Sequence, residues 1–194
     1  MKSLCKLLCL VLLALEASCQ TLPLGTPNFD TPTGAYLKDM DNVLPFWTGT
    51  WKGIMNNKEY TFQFTSFPHH NVTFESGDHF YEDMLNGKFK VFDLTTNQVL
   101  YNDLTSTSFE DYKIRLMAYG HNIGYVFSFR DDEAHCYNSA KFTLLKNPSN
   151  PNQITYAGFE YYPLLEGDTC PYGQQQNVPM FLPKTTLKLT KLQP

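Results

Sequence analysis

The chain has 194 residues, of which 18% are charged and 15% are aromatic, and its formal net charge is −4 at pH 7. This length suits one domain with a hydrophobic core of its own. The acidic balance and the lack of a basic run argue against a nucleic-acid partner, because such proteins carry a cationic surface. The aromatic content favours strands, in which large rings pack across a pleated surface.

The first nineteen residues have the pattern of a secretory signal peptide. A short basic start, Met1–Ser3, precedes a leucine-rich run over 7–15 and a small-residue patch, Ala17–Cys19. The apolar run is shorter than the roughly 20 residues that a membrane-spanning helix needs. We therefore expect residues 1–19 to be removed and the mature chain to be secreted or periplasmic.

Cys19 allows the signal peptide to be processed in either of two ways. Cleavage after Cys19 releases a protein that begins at Gln20, whereas a lipoprotein peptidase cuts before Cys19 and leaves a lipid attached to it. Ala17 and Ser18 suit the lipoprotein pattern, but the charged Glu16 stands where such signals usually carry an apolar residue. The sequence favours free export. A cell-envelope lipoprotein is the alternative, and only that form would be held at a membrane.

Two cysteines, Cys136 and Cys170, remain after removal of the signal. Two cysteines in an exported domain predict one disulfide. It would close a loop of about 35 residues and contribute roughly 3–4 kcal/mol in the loop-entropy description. Two buried thiols or half of a metal site are the alternatives, although the spacing matches no zinc pattern.

The remaining sequence divides into an extended segment and a strand-rich region. Residues 20–45 are rich in Thr, Pro and Gly and predict an extended N-terminal segment, with a short helix or loop over Thr31–Leu44. Beyond it, alternating apolar and polar residues predict strands. The predicted strands are Trp47–Met55, Glu59–Phe67, Phe80–Leu94, Gln98–Tyr101, Tyr112–Tyr119, Ile123–Phe129, Lys141–Leu145, Gln153–Tyr161 and Thr186–Lys191. Asn86–Gly87 is either a hairpin turn or a bulge in one long strand, and Pro68–Gly77 is predicted to be a polar loop.

About eight to ten short strands with hairpin-like connections predict an all-β fold, an antiparallel barrel or sandwich. A closed barrel over residues 46–194, as a single domain, is favoured because closure removes exposed strand edges. A barrel of eight strands is wide enough either to be filled by side chains or to hold one small ligand. Core packing is the favoured role of its rings. The candidates for lining a cavity are Trp51, Tyr60, Phe62, Phe64, Tyr125, Phe127 and Tyr156.

Two resemblances support this fold. Gly49-Thr50-Trp51 resembles the Gly-x-Trp motif that opens lipocalin barrels, in which the Trp closes the barrel floor. Several motifs in order are also similar to a family of small exported bacterial proteins that is catalogued as a domain of unknown function. That resemblance implies export, a β-rich domain and the disulfide, but no activity. Its motifs are Ala35–Asp39, Gly49–Gly53, Gly87–Val91, Cys136 with Asn138–Ala140, Asp168–Tyr172, Leu182–Pro183 and Leu189–Lys191.

Residues with catalytic or metal-binding chemistry do not form a recognised pattern. There is no Gly-x-Ser-x-Gly motif for a serine nucleophile. The histidines His69, His70 and His79 lie near the carboxylates of Glu82 and Asp83, but a solvated loop is the favoured explanation. We therefore predict no catalytic residue, no metal and no cofactor.

The function that the sequence favours is non-catalytic binding, of either a small apolar ligand or a protein partner. The carboxylates leave one alternative, an unrecognised secreted hydrolase, because a glycosidase pair could lie among them. The sequence does not identify the ligand or the partner.

Overall fold

The structure is a computed structural model that describes residues 20–105, 108–120, 124–131, 138–163 and 179–192. The predicted signal peptide, Cys19, Cys136 and Cys170 lie outside these residues. The disulfide and the lipid attachment therefore stay predictions.

The described residues form strands and very little helix. One short helix, α1 (Leu44–Trp47), and two 3₁₀ turns, Asn28–Asp30 and Phe109–Asp111, accompany them. The strands are β1 (Thr21–Pro23), β2 (Tyr36–Lys38), β3 (Gly49–Met55), β4 (Lys58–Thr73), β5 (His79–Asp93), β6 (Gln98–Asn102), β7 (Ile114–Gly120), β8 (Gly124–Asp131), β9 (Asn138–Lys146), β10 (Gln153–Pro163) and β11 (Leu187–Lys191).

Eight strands close into an antiparallel barrel, which confirms the predicted all-β barrel. The barrel order is β3, β4, β5, β7, β8, β9, β10 and β11, so each strand pairs with the next one along the chain apart from β6. Pairing of Gly87 with Ile114 joins β5 to β7, and pairing of Thr190 with Lys52 joins the last strand to the first. Strand β6 instead adds to the free part of β5. This next-neighbour order is that of an up-and-down barrel.

Contacts within the chain define two compact units. Of the described residues, the N-terminal unit contains 20–43 and Phe67–Met84, with β1 and β2 as a parallel pair. The barrel unit contains Leu44–Ser66 and the described residues from Leu85 onward. Strands β4 and β5 contribute residues to both units.

Aromatic rings fill the interior of the barrel unit. The ring of Phe62 is fully buried, and the centroids of four other rings lie 5.7–6.3 Å from it. These neighbours are Phe64, Phe89, Phe142 and Tyr156. They lie on four different strands. On each strand every second residue points to the same face, and these rings belong to the inward face. The alternation predicted for Glu59–Phe67 therefore places its rings correctly.

Helix α1 places a second tryptophan in the barrel unit. Trp47 is fully buried, its ring lies 4.4 Å from that of Tyr125, and its carbonyl accepts a 2.7 Å hydrogen bond from Trp51 Nε1. The predicted first strand was therefore too long, since Trp47 ends a helix and β3 begins at Gly49. The Lys191 ammonium donates to the Phe46 carbonyl at 2.7 Å, which satisfies a carbonyl in the last turn of this helix.

Strands β4 and β5 are longer than the sequence pattern required. Of the two alternatives for Asn86–Gly87, the structure has one long strand, β5, which passes through these residues without a turn. A Cβ atom at Gly87 would lie 2.7 Å from the ring of Phe64, so interior packing explains the glycine. Strand β4 continues to Thr73, and the first half of the predicted loop Pro68–Gly77 is therefore wrong. Pairing with a neighbouring strand outweighs the weak strand propensity of those polar residues.

The close approach of β3 to β11 depends on Gly53. A Cβ atom there would lie 2.3 Å from the backbone oxygen of Lys188, and a backbone atom cannot move aside as a flexible side chain can. We expect Gly53→Ala to lower the free energy of unfolding by about 1–3 kcal/mol or more, measured by urea denaturation. The adjacent Ile54→Ala, at a residue that is 61% exposed, is the control. Equal effects of the two substitutions would contradict this explanation.

Candidate functional site: a polar groove on the barrel surface

The predicted cavity-lining residues all lie in the barrel unit. Six of them, Trp51, Tyr60, Phe62, Phe64, Phe127 and Tyr156, are at most 5% exposed, and Tyr125 is partly exposed. The rings lie against one another, as Phe127 does against Phe142 with centroids 5.6 Å apart. The Tyr156 hydroxyl has no hydrogen-bond partner in the described part of the chain. Burial, and then the nearby Tyr60, raise its pKa above the ordinary value.

A groove of about 660 Å³ lies on the outer face of the same barrel. The inward residues of β7 and β8, Ile114, Phe127 and Phe129, are at most 2% exposed. Because side chains alternate along a strand, the residues between them point outward. The groove is lined by these outward residues and by the 3₁₀ turn before β7, namely Glu110, Asp111, Tyr112, Lys113, Arg115, Ser128 and Arg130.

Charges of both signs line the groove. Lys113 forms a 2.9 Å ion pair with Asp131. The guanidinium of Arg115 instead lies over the ring of Phe109, 5.6 Å from its centroid. Arg115 forms no ion pair within the described residues. The lining therefore suits a polar ligand that makes charged hydrogen bonds, whereas most small-molecule pockets are predominantly apolar.

The Tyr112 side chain covers part of the outer face of β5. It stands just before β7, on one side of β5, and its hydroxyl donates a 3.1 Å hydrogen bond to Thr65 on β4, the strand on the other side. Its side chain therefore crosses the outer face of β5. The predicted strand Tyr112–Tyr119 begins too early, because β7 starts at Ile114, and Tyr112 is therefore not held to the alternation of that strand.

Two polar side chains are buried on the outer face of β5. Asn86 is 0% exposed and Lys88 is 1% exposed, and they alternate with the inward residues Leu85, Gly87 and Phe89. The Lys88 ammonium lies 4.3 Å from the centroid of the Tyr112 ring. Neither the oxygen nor the nitrogen of the Asn86 amide has a hydrogen-bond partner among the described residues. The sequence analysis missed this pair, since outward residues of a barrel strand are normally solvated.

Asp103 is a partly buried carboxylate that directly follows β6 and lies beside β5. It accepts a 2.6 Å hydrogen bond from the Phe89 amide and a 3.3 Å bond from the Tyr101 hydroxyl. Burial raises its pKa to about 6, although these bonds and the charge of Lys113 act in the opposite direction. Asp103 is not part of the groove lining.

Asp83 connects three segments of the N-terminal unit. Its carboxylate accepts hydrogen bonds from the Tyr36 hydroxyl and from the backbone amides of Asp39 and His69. Burial acts to raise its pKa, but the hydrogen bonds outweigh that effect and leave the pKa below the ordinary value. Burial first, and then the bond to Asp83, raise the pKa of Tyr36 to about 12.

The histidines weighed as metal ligands, His69, His70 and His79, are also in the N-terminal unit. The His69 ring stacks on Tyr81 with centroids 4.2 Å apart, and the edge of Tyr36 lies 4.6 Å away. Within the described ranges, no three His, Cys, Asp or Glu side chains are arranged to hold a metal ion.

Comparison with known proteins assigns the family. The sequence model of the family of unknown function DUF6705 matches residues 1–142. The chain belongs to this family. No curated protein and no solved structure matches the chain. Among the described residues, no helix is long and apolar enough to cross a membrane.

A pH-dependent stability is expected from Glu82, which lies next to Asp83. Burial, and then the charge of Asp83, raise its pKa from the ordinary 4.5 to about 7. The stability associated with its protonated form is fully present below pH 4.5 and is lost as the pH rises through 7. Glu82→Gln should therefore add about 1–3 kcal/mol to the free energy of unfolding at pH 8 and almost nothing at pH 4.

Two measurements check this expectation. Urea denaturation gives the free energy, and exchange of the Tyr81 amide, which donates to the Ala35 carbonyl at 2.8 Å, reports on the N-terminal unit alone. The control is Glu75→Gln, at an exposed position of the same unit. A gain at pH 4 as large as that at pH 8 would show that the ionisation of Glu82 is not responsible.

Proposed function

We propose that the protein is an exported, non-catalytic binding domain that takes a small polar ligand in the groove on the outer face of β7 and β8. The observation that carries the proposal is the contrast between the two faces of this barrel wall. Its inner face packs aromatic rings against one another, whereas its outer face forms a groove of about 660 Å³ with charged walls. This volume lies within the range of small-molecule sites.

The chemistry of the lining distinguishes among the expected ligands. A small apolar ligand would have to displace packed rings inside the barrel. A polar ligand in the groove would meet the guanidinium groups of Arg115 and Arg130, the Ser128 hydroxyl and the carboxylates of Glu110 and Asp111. Hydrogen bonds to charged groups contribute more than neutral ones, about 1.5–3 kcal/mol each, so few of them are needed for useful affinity.

The hydrolase alternative has less support from this geometry. Asp103 has the raised pKa that a general acid requires. However, its carboxylate accepts hydrogen bonds from Phe89 and Tyr101 and lies outside the groove lining. We therefore favour binding over catalysis.

The proposal also includes export and a disulfide, and both are supported by the sequence alone. The signal pattern over residues 1–19 supports release after Cys19, with lipid attachment at Cys19 as the alternative. The pair Cys136 and Cys170 would then oxidise in an extracellular compartment. Intact mass of the exported protein, before and after reduction, tests both parts.

Occupation of the groove is tested with Ser128→Trp, because an indole at that position would fill the space between the outward side chains. We would titrate the protein with free amino acids, dicarboxylic acids and mono- and disaccharides, following amide chemical shifts by NMR. Shifts confined to groove residues are expected for at least one class of ligand. The substitution should weaken that binding at least about tenfold.

The matched control is Thr190→Trp, at an exposed position of β11, which should leave binding unchanged. Saturable shifts of the buried rings in place of groove residues would move the site to the barrel interior. Binding that survives Ser128→Trp would reject the groove.

A further inference from the structure

We infer that Lys88, Asn86 and Arg115 form a seat for an oxyanion, either a carboxylate or a phosphate group, on the outer face of β5 and β7. The inference rests on the proposed function and specifies the chemistry of the groove's ligand, whose anionic end would occupy this seat.

The first observation is the buried lysine. Lysine is almost never fully buried unless it is paired, yet Lys88 is 1% exposed. Its contact is the face of the Tyr112 ring, 4.3 Å from the ammonium. No ion pair or hydrogen bond of Lys88 occurs in the described part of the chain. A cation–π contact contributes only about 0.5–2 kcal/mol, which leaves the hydrogen-bonding capacity of the ammonium unused.

The second observation is the unpaired amide of Asn86, on the same face of the same strand. Asn86 is 0% exposed, and neither its oxygen nor its nitrogen has a hydrogen-bond partner among the described residues. A buried polar group without a partner costs about 1–3 kcal/mol, and binding of an ion or a water is a recognised explanation for one. An oxyanion would accept from both the Asn86 nitrogen and the Lys88 ammonium.

The third observation connects this pair to the groove. Arg115 is the direct partner of Asn86 across the β5–β7 ladder, and side chains at opposed positions are about 5 Å apart at Cβ. Arg115 and Tyr112 both line the groove. Movement of the Arg115 side chain away from Phe109 would open the seat to the groove and would bring a guanidinium to the same anion.

The carboxylates nearby do not already occupy this position. Asp131 is engaged with Lys113, and Asp103 with the Phe89 amide and Tyr101. Glu110 and Asp111 line the groove, and neither forms an ion pair with Lys88 in the described residues. They would repel an anion in the outer groove, so we place the anionic end at the seat and uncharged polar groups of the ligand farther out.

The test follows the side-chain NH₂ signal of Asn86 and the Nε–H signal of Arg115, which is also present in variants at position 86, while sodium phosphate or sodium acetate is added, with choline chloride as the control for ionic strength. We expect a saturable shift with at least one of the two anions and none with choline. A response to phosphate alone would assign a phosphate ester as the ligand class, and a response to acetate alone would assign a carboxylate.

Two variants check the residues. Lys88→Met keeps the length of the side chain and removes its charge, and it should weaken anion binding at least about tenfold. Asn86→Asp keeps the shape and places a carboxylate beside Lys88, so it should exclude the anion and raise the melting temperature. The control is Lys188→Met, on the exposed face of β11, which should bind as the unmodified protein does.

The outcomes separate this inference from the proposed function. No response of Asn86 to either anion, or contact with water alone, would overturn the seat. Unchanged anion binding in Asn86→Asp would also overturn the seat, and this outcome can be measured even if Lys88→Met failed to fold. If Ser128→Trp abolished binding of a groove ligand while Asn86→Asp bound it normally, the groove would stand and the seat would fall. If phosphate shifted the Asn86 signal but no ligand bound in the groove, the oxyanion seat would stand and the proposed groove would be rejected.

Discussion

The packing of the Phe62 ring against four aromatic neighbours is the interaction on which the barrel unit depends, because these rings fill its interior. The rings come from β4, β5, β9 and β10, and their centroid distances of 5.7–6.3 Å leave them in contact across the barrel. Burial of one such side chain contributes about 1.5–3 kcal/mol, so displacing several of them for a ligand would cost much of a domain's net stability. Binding at the outer surface avoids that cost.

Stability at the outer surface rests on different interactions in the two units. In the N-terminal unit, the Asp83 carboxylate of β5 accepts hydrogen bonds from Tyr36 and Asp39, in and after β2, and from His69 of β4. In the barrel unit, the Tyr112 ring lies against the Lys88 ammonium without accepting a hydrogen bond in the usual sense, and the nearby amide of Asn86 has no partner among the described residues. The first arrangement is what a structural polar site requires, since all its donors are used. The second has unused hydrogen-bonding groups, and this property is more typical of a binding site.

The local sequence pattern was sufficient to predict the barrel but not to predict the candidate site. The alternating rings in Glu59–Phe67 are a local signal, and the strand predicted from them is present as part of β4. Long-range pairing is not visible locally, so the continuation of β4 through His69 was missed. The burial of Lys88 depends on Tyr112, a residue from a distant segment that reaches across to Thr65. No pattern within β5 could have indicated that.

The order of the barrel strands also determines when the fold can be completed. All but one of the barrel contacts between strands join neighbours along the chain, while β3 must wait for β11 at the far end. Closing so long a loop carries an entropic cost that is recovered only when the last ladder forms. Until then β3 and β10 present unpaired backbone groups, which readily pair with other chains. The incomplete barrel is therefore the state most exposed to aggregation, and pairing of β11 with both β3 and β10 removes the two vulnerable edges in a single step.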